Sequence, residues 1–234
     1  MSPDPLLVAS SAHAFVDSLE SPLLSDTDAH HLDRVLRLRK GDAITISDGI
    51  GGWRPCRFGG GALVEPAGEI RRMIVTHPLI TVAFSLLKGD RNELVVQKLT
   101  EIGAQRIVPI TTDRTIVRWD VARASGNHER FVRIAREASM QSRRVFLPAV
   151  EPLQPFASIA HSGTTALAVA GAPPIGAGIT TVLVGPEGGW SPTELDFPMR
   201  RIGLGPNILR AETGAIVACA LLVAFLTGQV TPPP

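Results

Sequence analysis

The chain has 234 residues, 44% hydrophobic and 19% charged, with a formal net charge of +1. That length and balance describe a folded protein with a core in one large domain or in a small and a medium one, and they exclude a disordered or strongly polybasic chain. Two cysteines, Cys56 and Cys219, stand far apart in no metal-ligand spacing, so neither a disulfide framework nor a zinc site is suggested and a cytoplasmic, metal-free protein is expected.

In chain order, MSPDPLLVAS lacks the basic start and long apolar centre of a signal peptide, so secretion is not expected. Residues 27–40, TDAHHLDRVLRLRK, predict a short helix and its exit, ending at Gly41. There His30 and His31 lie beside Arg34, Arg37, Arg39 and Lys40, which suits a phosphate-contacting edge. Asp26, Asp28 and Asp33 interleave with them, and a solvated helix face fits as well. From Ala43 to Thr76, short β-like runs are broken by glycine (AITISDG, GGWRPCRF, GGGALVEP, EIRRMIVT), which predicts antiparallel hairpins of a small sheet or barrel.

At Pro78 the pattern changes. LITVAFSLL reads as a strand, RNELVVQKLTEIGA as an amphipathic helix closed by Gly103, and RIVPIT as a second strand. A helix is expected from about Asn127 to Gln141, and strands at 165–170, at 181–184 and near Ile202. Strands alternating with helices predict an α/β domain with a mainly parallel sheet. The boundary falls near 74–78, giving a β-rich domain over 1–74 and an α/β domain over 75–234. The run AIVACALLVAFL at 215–226 is too short for the ~20 residues of a membrane span and reads as a buried core helix. The terminal TPPP reads as a frayed tail. Residues 74–144 carry 12 Lys/Arg against 7 Asp/Glu, so the middle of the chain is its basic part.

Two glycine turns carry the chemistry. In VLVGPEGGWSPTELD a strand runs into Gly185–Gly189, where missing side chains let backbone approach a ligand, and then into Ser191-Pro-Thr-Glu194, a capping box with Pro at the first helical position. The loop therefore sits at the carboxyl end of a strand, where α/β sheets bind ligands; an ordinary glycine-rich connection has the same composition. In IGLGPNILRAETGAIVACALL a second turn leads to Arg210 and Glu212 before a long apolar helix. Glu212 suits a helix start on electrostatic grounds alone, whereas Arg210 there calls for an anion or a base nearby. No P-loop Lys-Ser/Thr follows either turn, and Ile208 stands where a dinucleotide fingerprint needs its third glycine. The six histidines form no zinc-protease motif, and no Ser or Cys occupies a nucleophile elbow.

Read together, LVGPEGGWSPTELD and LGPNILRAETGAIVACALL resemble the C-terminal signature of the SPOUT-class methyltransferases that modify N3 of a uridine in small-subunit ribosomal RNA, the RsmE family. HHLDRVLRLRKGD, LLKGDRNELVVQKLTEIGAQRIVPITTDRTIV and REASMQSRRVFLPAVEP are similar to further family segments in the same order, so the resemblance covers nearly the whole chain. It implies a PUA-like β-barrel for RNA, a C-terminal SPOUT α/β domain with a trefoil knot, and S-adenosyl-L-methionine held by the knot loops. It also implies a homodimer acting on small-subunit ribosomal RNA, with the assembled 30S particle as substrate. On this resemblance the cofactor residues are Ala170, Val184, Gly185, Pro186, Glu187, Gly188, Gly189, Leu204, Gly205, Ile208, Leu209 and Arg210. Arg210 is then expected to place or polarise the uracil, with Glu212 orienting Arg210 or accepting a proton through water. Arg34, Arg37, Arg114 and Arg143 are the expected phosphate contacts, each with a surface salt bridge as the plain alternative. The family commonly has a basic residue where Asn207 stands and Thr where Ala211 stands, and Pro198 should shorten or kink the helix beginning at Ser191. Other readings remain: a non-catalytic RNA-binding protein with a relict pocket, a SPOUT methyltransferase acting on another RNA site, and a nucleotide-dependent α/β enzyme, which the failed phosphate motifs oppose.

Overall fold

The computed structural model of the chain describes residues 4–160 and 163–230, so the terminal TPPP lies outside the described residues. The chain divides into two units, one formed by residues 1–76 with 136–147, the other by 77–135 with 148–234.

In the first unit the Asp4 carboxylate caps α1 (Pro5–Ala9) by accepting from the Leu6 amide at 2.9 Å. The chain then enters β1 (Ala12–Phe15), buried at all four positions and parallel to β2 (Ala43–Ser47), with Ala12 opposite Ile44. Sequence pattern predicts neither α1 nor β1, because a short, wholly buried strand paired with a distant one has no local alternation. Ser25 caps α2 (Asp26–His30), which passes into a π-helical turn over His31–Val35. From there β2, β3 (Gly52–Gly60), β4 (Leu63–Pro66) and β5 (Arg71–Arg72) pair antiparallel, in the order β1-β2-β3-β4 with β5 also on β3. Phe15, Leu32, Ile44, Ile46 and Phe58 form the core.

Residues 136–147 complete this unit through polar contacts. Arg136 donates to both carboxylate oxygens of Asp28, at 2.8 and 2.7 Å, and its guanidinium lies 5.5 Å from the centre of the Phe15 ring. The bidentate fork satisfies a carboxylate that is otherwise buried. Ser47 Oγ donates to the carbonyls of Gly52 and Val145, at 2.8 and 2.9 Å.

The second unit is built on a seven-stranded sheet in which every pair is parallel. Its elements begin with β6 (Thr81–Ser85), α3 (Arg91–Ile102), β7 (Arg106–Thr111) and α4 (Val121–Gln141), the last continuing past Ala135 into the segment just described. They continue with β8 (Ala149–Val150), β9 (Gln154–Pro155), β10 (Thr165–Ala168), β11 (Thr181–Val184), α5 (Pro192–Leu195), β12 (Arg200–Ile202) and α6 (Ala211–Leu226). The strand order is β12-β10-β11-β6-β7-β8, with β9 also on β7. Successive side chains of a strand face opposite sides. Val82 and Phe84 accordingly pack with Val95, Leu99, Ala215 and Leu222 from α3 and α6, while Ala83 joins Val108, Ile110, Phe156 and Trp190 on the other side.

Some elements depart from the sequence expectation. α4 begins six residues earlier than Asn127, because Asp120 Oδ1 accepts from the Arg123 amide at 2.8 Å and caps the helix there. α6 is fully buried only along Gly214, Ala215, Ala218, Cys219 and Leu222, with Leu221, Val223, Phe225 and Leu226 partly covered. α5 stops before Pro198, as that residue requires. Among the described residues no helix is long and apolar enough to cross a membrane.

Candidate functional site

At the carboxyl ends of β10 and β11, and beyond β12, the second unit encloses a cavity of about 490 Å3. Three stretches wall it: Ala168–Ala170 after β10, Val184 to Trp190 after β11, and Leu204 to Ala211 leading into α6. Leu195 and Gly214 complete it. The lining is mostly apolar, and its charged side chains are Glu187 and Arg210.

Local chemistry holds each wall. Trp190 is buried against Phe156, with ring centres 5.4 Å apart, and its Nε1 donates to the Ala168 carbonyl at 2.9 Å. That bond joins the wall after β11 to the end of β10. Gly185 is required beneath the indole, since a Cβ there would stand 3.0 Å from Trp190 Cε2. Gly189 (φ +69°) closes the turn, its amide donating to the Pro186 carbonyl at 2.9 Å. The predicted capping box is present: Ser191 Oγ accepts from the Glu194 amide and Glu194 Oε2 accepts from the Ser191 amide. The buried Glu194 also accepts from the Asp113 amide at 2.9 Å, fixing α5 to the loop after β7. In the third wall Gly214 lets α6 lie close to β11, where a Cβ would come within 3.3 Å of Val184 Cγ1.

Of the expected cofactor residues, all but Gly188 line this cavity. Gly188 faces elsewhere: its carbonyl accepts from Arg114 at 3.0 Å, so that arginine braces the loop. Arg210 is the N-cap of α6 and exposed, and among the described residues its guanidinium makes no hydrogen bond or ion pair. Glu212 does not orient Arg210. Its carboxylate pairs instead with Arg91 at 3.4 Å, and the same guanidinium pairs with Glu187 at 2.9 Å. Arg143 also differs from expectation. Left-handed at φ +59°, it donates to the carbonyls of Met140, Gln141, Ser10 and Ser11, and these bonds take up the guanidinium that was to meet phosphate. In the first unit Arg34 is exposed with only a 3.7 Å pairing to Asp33, and Arg37 is exposed at φ +55°.

Sequence reasoning missed Ala168, Val169, Trp190, Leu195 and Gly214 in the lining and Arg91 as the partner of Glu187 and Glu212, while Asn207 and Ala211, noted as departures from the family pattern, also line the cavity. For Trp190 a signal exists, since an aromatic residue directly after a glycine turn has a backbone to pack on. Arg91 gives none, because its two partners lie far along the chain. Among the described residues no cluster of three His, Cys, Asp or Glu side chains could hold a metal ion.

A parallel α/β unit with a strand-end pocket walled by glycine turns, carried in one chain with a separate β unit, is the architecture of a two-part α/β ligand-binding protein. The RNA methyltransferase domain family matches residues 76–223 and the RNA methyltransferase PUA domain family matches residues 24–60, and the chain belongs to the RNA methyltransferase family. It is 33% identical over 228 residues to the ribosomal RNA small subunit methyltransferase E of Synechocystis, covering 87% of this chain and 73% of that one. Among solved structures it resembles the ribosomal RNA small subunit methyltransferase E of Neisseria gonorrhoeae bound to S-adenosyl methionine. That likeness has a TM-score of 0.74 at 29% identity, over 91% of this chain and 97% of that one. The probable rRNA-methyltransferase of Porphyromonas gingivalis aligns with a TM-score of 0.77 at 25% identity, over 94% and 100%.

Proposed function

We propose that this chain transfers a methyl group from S-adenosylmethionine to ribosomal RNA of the small subunit, at N3 of a uridine. The observation that carries the reading is the meeting of two glycine-turn motifs, one before and one after β12, on one mostly apolar cavity. Its 490 Å3 fits a single small ligand, for which pockets run from roughly 300 to 1,000 Å3. Val184, Leu204, Ile208 and Leu209 offer apolar surface to a flat base. S-adenosylmethionine, when bound, supplies a methyl group already activated on a sulfonium, so the chain's task there is alignment.

The acceptor is the harder partner. Uridine N3 must lose its proton, and a cation beside the ring oxygens stabilises the charge that develops. Arg210, exposed at the cavity and without a partner among the described residues, fills that role. Arg37 is exposed to phosphates, as is Arg34 apart from its 3.7 Å pairing to Asp33, and Arg114 shares its guanidinium between the loop and any RNA.

The finer architecture belongs to the same proposal. The first unit closes as a PUA-like barrel. In the second, β12 joins the sheet outside β10 while α6 returns beneath β6 and β11, a path compatible with a trefoil knot. The protein acts in the cytoplasm as a homodimer on the assembled 30S particle. Calorimetric titration with S-adenosylhomocysteine, followed by methyl transfer to 30S particles lacking the modification, tests the reading. Saturable one-site binding with transfer supports it, and binding without transfer would favour a relict pocket.

A further inference from the structure

Arg91 opens α3, where the helix dipole disfavours a cation, yet all its nitrogens are engaged. Nε donates to the Lys88 carbonyl at 3.0 Å, one terminal nitrogen pairs with Glu187 at 2.9 Å, and the other with Glu212 at 3.4 Å. These partners come from two separate cavity walls, the loop after β11 and the start of α6. Glu187 lines the cavity beside Arg210, and Glu212 lies two residues from it. Two carboxylates thus stand within the neighbourhood of an arginine that itself has no partner among the described residues.

We propose that Arg91 is a positioning residue: by gathering Glu187 and Glu212 on one guanidinium it keeps both carboxylates off Arg210 and leaves that arginine open to the RNA. The inference rests on the reading of Arg210 given above. Arginine suits the task where lysine does not, because its planar fork holds two carboxylates and a carbonyl at fixed angles. Without it, both carboxylates lose the guanidinium that holds them and can turn to Arg210, which lines the same cavity as Glu187; an occupied Arg210 cannot polarise a base.

The test compares Arg91→Met with the triple variant R91M/E187Q/E212Q, in which the glutamines keep the shapes but cannot pair with Arg210. Arg91→Met is expected to lower kcat roughly a hundredfold, as for loss of a preorganised donor. With kcat read at saturating S-adenosylmethionine, so that weaker cofactor binding through Glu187 does not enter, the triple variant should recover most of that loss. A structural brace alone would give no recovery, so a triple variant as slow as Arg91→Met, or an Arg91→Met enzyme as fast as wild type, overturns the proposal. The second readout is independent of turnover: the 15N-resolved side-chain Nε–H of Arg210 should exchange faster with water in wild type than in Arg91→Met. Equal exchange in both contradicts the proposal. If Arg91→Met fails to fold, Arg91→Lys, which cannot hold both carboxylates, replaces it in both measurements. Failure of the wild-type chain to methylate any RNA would instead sink the functional reading and leave the exchange comparison valid.

Discussion

The indole of Trp190 reaches across the cavity to donate a hydrogen bond to the Ala168 carbonyl at 2.9 Å, joining the loop after β11 to the end of β10. The pocket's shape hangs on that link, because neither wall is tied to the other by sheet pairing beyond the strand ends. Trp190→Phe would keep an aromatic ring and orphan the carbonyl, costing about 1–3 kcal/mol. A large part of that should fall on the pocket, with S-adenosylhomocysteine affinity dropping about tenfold in calorimetry. Gly185→Ala should act on the same wall by pressing its Cβ into the indole.

Arg210 is predicted to act on the acceptor. Arg210→Ala should lower kcat by about 10²–10³-fold while cofactor affinity stays within about threefold. Single-turnover methyl transfer beside calorimetry separates the two quantities, and equal losses in both would assign Arg210 to cofactor binding alone.

Arg34 and Arg37 should each neutralise a phosphate. Replacing both by alanine should flatten the plot of log affinity for RNA against log salt by about 0.7–0.9 for every phosphate no longer neutralised. Arg143→Ala is expected to destabilise the first unit by thermal melting, since its guanidinium joins the carbonyls of Ser10 and Ser11 to its own turn.

The first unit carries a pH response. His13 is buried beside Arg143, and burial first, then that guanidinium, pushes its pKa from 6.5 down to about 4. Its Nδ1 lies 2.8 Å from Thr45 Oγ1, which suits the neutral ring. Between those two values the unfolded chain binds a proton that the folded chain refuses, so the stabilisation is full above 6.5 and declines as pH falls toward 4. The loss amounts to on the order of 3 kcal/mol by the bottom of that window. His13→Gln should remove this slope from melting curves recorded between pH 7 and 4.

The α/β alternation and the two glycine turns are legible in the sequence because they are local patterns: apolar runs of strand length, capping residues, and glycines at strand ends. Ser191 and Glu194 form the capping box their spacing predicts. What is not legible depends on interactions between distant residues. Residues 136–147 begin as the last turns of a helix of the second unit, which ends at Gln141, yet belong with the first, through Arg136 on Asp28 and Ser47 on Val145. No feature near Arg136 announces that partner. In the same way the sequence offers Glu212 to Arg210, its neighbour, while the fold gives it to Arg91. Residue type nominates Arg143 for phosphate, but only the turn at φ +59° reveals that backbone carbonyls already claim it.

Methyl transfer to small-subunit ribosomal RNA is tested most directly by mass spectrometry of that RNA from cells with and without this gene. The expected result is one uridine that carries an N3 methyl in the parent and none in the deletion, restored by the wild-type gene and not by one encoding Arg210→Ala. An identical set of methylated nucleotides in both strains would contradict the proposed function.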